Sequence, residues 1–244
     1  MILEPTKPAV DTNKLIQILG GRSADSLTNS VGKTLESFTS RITDFLRPRI
    51  IYRMLGIASC NGSVQLEGGL SFNSIKASRV FCDCTDICCF LATIGRGIDE
   101  EIIRLTERKR SSDAYILDAV GSAAVETIVE QFHDRIKTRL LAEDKTVTLR
   151  LSPGYCDWPL QEQKKLFRLL DAGKIGVDLS ESSLMQPRKT ISGIFGVMPL
   201  SVGCRTPAYN PCSDCRKKNC TARRADCRHT DTQPATAAGY MEIT

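Results

Sequence analysis

The chain has 244 residues, 41% of them hydrophobic and 25% charged, which are the proportions of a globular protein with room for one large core. No apolar run approaches the roughly 18 residues that a membrane span needs, and residues 1–14 lack a basic start followed by an apolar run, so a cytoplasmic protein without a membrane partner is expected. The net charge of +5 is local: Arg205, Arg216, Lys217, Lys218, Arg223, Arg224 and Arg228 face only Asp214 and Asp226 in one stretch, with no interleaved aromatics to stack on bases, which argues against nucleic acid.

In chain order, residues 1–12 form a loose, Pro-bearing lead-in. Residues 13–53 read as helical, with Leu15, Ile16 and Leu19 at helical spacing and a longer segment over 30–45. Residues 56–70 are rich in Gly and Ser around the alternation Val64-Gln65-Leu66, as in turns and a short strand. The run from Ile87 to Ile94 is too apolar to face water and predicts a buried strand closed by Gly95. A helix follows over 99–109, and a longer one starts at Ser112 or Asp113, either of which can cap it. Its apolar stripe is Val125, Ile128, Val129, Phe132, Ile136 and Leu140. Glu126, Glu130 and His133 project about 100° to one side of that stripe, at the edge of the buried face.

Residues 146–151 alternate as a strand and end in the turn Ser152-Pro153-Gly154. Pro159 opens a helix that runs to Asp171, with Gly173 past its end. Residues 175–179 and 190–197 read as strands around a loop at 180–188, and beyond Met198 periodicity stops. The strands are not separated by regular helices, so the expected class is α+β, with a mainly antiparallel, twisted sheet and flanking helices. The domain plan is an α+β domain over 13–198, a Cys-rich basic segment over 199–229 and a tail without fixed structure over 230–244.

Eleven cysteines in a chain read as cytosolic do not make a disulfide framework. Cys212-x2-Cys215-x4-Cys220-x6-Cys227 has the spacing to surround one metal with four thiolates, with Cys204 as a substitute ligand. Zinc, an iron-sulfur cluster and free thiols remain open on this spacing. Cys82, Cys84, Cys88 and Cys89 form a second group; on a strand the first three would share a face, although burial as small hydrophobes is the simpler reading. Cys60 and Cys156 stand alone.

Arg150-Leu-Ser152-Pro153-Gly154-Tyr155 delivers an arginine from a strand into a turn where backbone can approach a ligand closely, with a tyrosine at its close. The guanidinium suits a carboxylate, and the ring face of tyrosine suits a cation. Followed by Cys156-Asp157-Trp158-Pro159, by Leu179-Ser-Glu-Ser-Ser-Leu-Met185-x-Pro187 and by Ile191-Ser-Gly193, the segment resembles the reactivation domain of cobalamin-dependent methionine synthase, in a free-standing short form. The stretches 92–101, 117–124 and 126–135 agree, and the similarity covers residues 13–197.

The resemblance implies that the chain binds S-adenosylmethionine and supports reductive methylation of cob(II)alamin held by a partner methyltransferase. A partner electron donor such as flavodoxin or ferredoxin would supply the electron. It further implies that Arg150 takes the ligand carboxylate, that Ser152, Pro153, Gly154 and Tyr155 line the site, and that Glu126, or in second place Glu130, meets the amino group. Phe195 stands where larger family members carry a tyrosine, without its hydroxyl, and the family's early acidic contact has no counterpart. A sulfonium donor releases a neutral leaving group, so no catalytic histidine is expected. Two competing readings are an iron-sulfur redox activator of corrinoid methyltransferases that does not bind S-adenosylmethionine, and a non-catalytic cap for a cobalamin domain.

Overall fold

The computed structural model describes residues 2–3, 10–20, 28–203, 210–213 and 215. Residues 1–208 form one compact unit and 209–244 a second.

In the first unit an antiparallel sheet takes shape around three long strands: β2 (Arg49–Cys60), β5 (Asp86–Thr93) and β9 (Thr190–Pro199). The seven-stranded order is β4-β3-β2-β5-β9-β6, where β3 is Val64–Leu66, β4 Ser71–Phe72 and β6 Lys145–Val147; β1 (Ile2–Leu3) also pairs with β2. A separate hairpin joins β7 (Asp178–Leu179) to β8 (Met185–Gln186). Every pairing is antiparallel, which bears out the expected class.

The central strand, β5, is buried along nearly its whole length. Its apolar run therefore lacks alternation, because both faces are covered. One face, carrying Cys88, Phe90 and Ala92, packs against helix α6 (Ser111–Leu141). Within that core the ring of Phe132 lies 5.2 Å from Tyr52, 5.7 Å from Phe90 and 6.0 Å from Phe195. The six residues of the predicted stripe on α6 are all buried.

Helices α1 (Thr12–Ile18), α2 (Asn29–Ser40), α3 (Ile42–Phe45) and α5 (Gly97–Glu107) add to the α6 side of the core through Leu15, Leu35, Ile42 and Ile98. Thr28 caps α2 by accepting from the Val31 amide. Ser74 does the same for α4 (Ile75–Val80), accepting from Ala77 at 3.0 Å. Helix α7 (Gln163–Leu169) and α8 (Leu200–Gly203) complete the set.

Several boundaries differ from the expectation. Residues 49–60 are strand, not helix and turn. Hydrogen bonding to β5 on one side and to β1 and β3 on the other holds them extended, which local pattern does not reveal. Cys82 and Cys84 lie before β5, in a turn where the Cys84 amide donates to Phe81, so they share no strand face with Cys88. Helix α6 begins at Ser111 without a side-chain cap, and Asp113 instead accepts from Arg110 Nε at 2.7 Å. Helix α7 ends at Leu169, a short 3-10 turn follows at Ala172–Ile175, and the left-handed residue is Gly176, not Gly173.

Candidate ligand-binding site

Strand β6 leaves the sheet after Val147, which opposes Val197, and the chain rejoins β9 where Leu151 opposes Ile194. One more residue runs on the β6 side of that interval than on the β9 side, so the segment is a β-bulge. Thr148 anchors it, its amide donating to Gly196 O and its Oγ1 accepting from the Gly196 amide. Side chains alternate along an extended chain, so the extra residue inverts their parity. Val147 packs on the α6 side with the core. An unbulged strand would send Arg150 to the opposite face; the bulge turns it towards α6. Gly193 permits the close crossing, since a Cβ there would sit 2.8 Å from Leu151 O.

Arg150 meets the carboxylates predicted from the flank of α6. One terminal nitrogen lies 3.5 Å from Glu126 Oε2 and 3.9 Å from Glu130 Oε1. The arginine side chain is only 10% exposed and the two glutamates are 42% and 45% exposed, so the guanidinium is the enclosed partner and the carboxylates form the open side. Lys14 of α1 forms an ion pair with Glu130, and its ammonium nitrogen is shut off from solvent.

His133, three residues on from Glu130, lies behind the cluster. Its Nε2–H donates to Thr148 O at 2.9 Å, and its ring stands edge-on to Phe195 with centroids 4.8 Å apart. Burial lowers its pKa below the ordinary 6.5, with Arg150 adding to the effect and the Thr148 carbonyl opposing it. It is neutral at neutral pH, so it adds no charge to the cluster.

The turn after Arg150 closes on itself: Gly154 N donates to Trp158 O, Tyr155 N to Ser152 O and Trp158 N to Tyr155 O. Gly154 has φ +90°, a left-handed conformation that a side chain would strain. Pro153 is buried, Ser152 half-buried, and Gly154 and Tyr155 exposed. Trp158 is 3% exposed and packs edge-on against Phe72 at 5.3 Å, which makes it the base of the turn.

Asp157 ties the turn to α4, accepting from Ser74 Oγ at 2.6 Å and from the Lys76 amide at 3.1 Å. Burial raises its pKa, but these hydrogen bonds outweigh that and hold it below the ordinary 3.8.

The structure thus brings Arg150, Glu126 and Glu130 together and attaches the turn with Ser152, Pro153, Gly154 and Tyr155 directly after the arginine. Phe195 is fully buried among Phe90, Phe132 and His133 and is not brought to the open side of the cluster. Lys14 carries no signal in the sequence, and Asp157 stands there only as a letter of the motif, without a role. Their roles depend on contacts to residues far along the chain, and no local pattern signals them.

Among the described residues no group of three or more His, Cys, Asp or Glu side chains could hold a metal ion. Burial pushes the thiol of Cys84 up to about 12 and raises those of Cys88 and Cys89 strongly, as in inert core cysteines. In the second unit Cys212 N donates to Asn210 Oδ1 at 3.0 Å and Cys215 N to Cys212 O at 3.3 Å, so these two cysteines share one turn. Cys204, Cys220 and Cys227 lie outside the described residues, as does the segment 216–244.

The fold is an antiparallel α+β domain that sets an enclosed arginine against two helix-borne carboxylates. The family model described as vitamin B12 dependent methionine synthase, activation domain, matches residues 82–203, half of the chain, and the chain belongs to that family. A crystal structure of the MetH reactivation domain bound to AdoHcy is similar over 86% of this chain and 73% of that chain, with a TM-score of 0.58 and 16% sequence identity. At that identity the likeness carries the fold. No helix among the described residues is long and apolar enough to cross a membrane.

Proposed function

We propose that the chain binds S-adenosylmethionine at the Arg150 cluster and supports reductive methylation of the cobalamin of a partner methyltransferase, methionine synthase being the partner the family points to. The observation that carries this reading is the enclosed Arg150 guanidinium set against Glu126 and Glu130 on the edge of α6. An amino-acid ligand inserted between them would give its carboxylate to Arg150 and its ammonium to a glutamate. The bulge aims the arginine, the exposed Gly154 lets backbone approach the ligand, and Tyr155 offers its ring face to a cation. That the solved relative holds AdoHcy, the product of methyl donation, supports this choice of ligand.

In the proposed reaction an external donor such as flavodoxin or ferredoxin supplies one electron to the partner's cobalamin, and the methyl carbon then passes from sulfur to cobalt while the C–S electron pair stays on sulfur. The protein's own residues bind and orient the donor molecule; no proton is transferred, so none of them need act as acid or base. The neutral His133, engaged with Thr148, fits that requirement.

Calorimetric titration with S-adenosylmethionine tests the reading. The wild type binds, and Arg150→Ala binds about 10- to 100-fold more weakly, the loss expected of a charge-assisted hydrogen bond. A wild-type chain that gives no binding by calorimetry or by equilibrium dialysis overturns it.

A second reading, an iron-sulfur redox activator without this ligand, draws on the shared turn of Cys212 and Cys215. A cluster or zinc at Cys212, Cys215, Cys220 and Cys227, with Cys204 in reserve, belongs to that proposal. Metal analysis and the visible spectrum of anaerobically purified protein test it: a cluster gives iron, sulfide and a broad visible band, zinc gives metal without colour, and neither removes it.

A further inference from the structure

Glu126 and Glu130 both reach Arg150, and chemistry alone would let either accept an ammonium group. Their surroundings separate them. Glu130 is held between two cations, with one oxygen paired to Lys14 and the other 3.9 Å from Arg150. Glu126 has Arg150 as its one partner among the described residues. In these contacts the four charges alternate as Lys14, Glu130, Arg150, Glu126. When a ligand carboxylate takes up Arg150, Glu130 keeps the counter-ion from α1, while Glu126 loses its only cation.

We infer that Lys14 is a positioning residue that gives the two carboxylates different duties. By holding Glu130 neutralised it leaves Glu126 as the acceptor for the ligand's ammonium group, and it sets the net charge that a positively charged donor meets. The inference rests on the reading that S-adenosylmethionine binds here. It concerns a residue that lies outside the matched family segment 82–203 and reaches the cluster only because α1 packs across α6.

The test uses the full chain and two ligands that differ in one methyl group and the positive charge it confers on sulfur, S-adenosylmethionine and S-adenosylhomocysteine. Their affinity ratio reads the charge of the site, whereas loosened packing weakens both alike. Lys14→Met frees one negative charge and raises the preference for S-adenosylmethionine about three- to tenfold, the scale of one unit charge across a partly hydrated site. Glu130→Gln, which leaves Lys14 unbalanced, lowers the preference by a similar factor. The double variant returns the ratio to the wild-type value, and Lys14→Arg keeps it.

A ratio unmoved in both Lys14→Met and Glu130→Gln, with both ligands still bound, overturns the role of Lys14 alone. A wild type that binds neither compound overturns the binding reading beneath it as well. Should Lys14→Met fail to fold, Lys14→Gln takes its place with the same expected rise in the ratio, and a ratio unmoved there overturns the role of Lys14.

Discussion

Helix α6 carries the carboxylates of the charged cluster and the turn continues from its arginine, and the two are held by opposite means. The helix is fixed by hydrocarbon: its stripe is buried, and the ring of Phe132 touches three other rings across the sheet. The turn is fixed mainly by polar closure, through its own amides, the left-handed Gly154 and the Asp157 clamp onto α4, with Trp158 as a single apolar base. The hydrophobic effect is non-directional and scales with the apolar area buried. Hydrogen bonds and special dihedrals are directional. A site with one wall of each kind has a rigid reference face and a second face whose shape depends on a few bonds.

Breaking the helix side should cost most. Phe132→Ala removes the shared ring of the core and is expected to lower unfolding free energy by about 3–5 kcal/mol, read by chemical denaturation. A loss below about 1 kcal/mol would show that the ring cluster does not anchor α6. On the turn side Gly154→Ala is expected to cost less, about 1–3 kcal/mol, because alanine must adopt φ +90° with its Cβ 3.3 Å from Leu160 Cδ1.

Asp157→Asn is expected to cost about 1 kcal/mol by weakening the acceptor that faces Ser74 and Lys76. It also carries a pH signature. The folded state favours the ionised carboxylate, so this contribution is whole above the ordinary 3.8 and is lost as pH falls below it. The wild type should therefore lose more stability over that acid range than Asp157→Asn does.

The smallest effect concerns His133. Its folded pKa is lowered, so the fold favours the neutral ring; that contribution is whole above pH 6.5 and falls as the pH drops below it. His133→Gln should flatten the corresponding part of the stability profile, and an NMR titration of the imidazole should give a pKa under 6.5. Equal slopes for the two proteins would mean that the ring is not protected by Thr148 and the core.

The same contrast explains what could be read from the sequence. Helix α6 and strand β5 were legible because their side-chain pattern is a direct image of burial, and the glutamates fell on the flank that the helical period places beside the stripe. The Arg150 to Trp158 turn was legible as composition and as a motif. Strand β2 was not, since Gly56, Ser59 and the arginines at 49 and 53 offer no clean alternation and only its neighbours hold it extended. Lys14, the clamp of Asp157 onto α4 and the bulge were invisible because each depends on a partner far away in the chain, and the burial of Phe195 among three other rings depends on the packing of α6 against β9. The cysteine segment offers a spacing alone, of which Cys212 and Cys215 lie within the described residues and share one turn.

The bulge between Val147 and Leu151 carries a consequence for how this site can change over time. A substitution at Arg150 alters one chemical group, but deleting a single residue at 148 or 149 would restore regular alternation and swing the guanidinium to the far side of the sheet, with every letter of the downstream motif intact. The site is therefore written in the length of this segment as much as in its residues. Relatives that keep the arginine but differ here by one position would be expected to have lost the pairing of Arg150 with α6 while still appearing, by motif alone, to possess it.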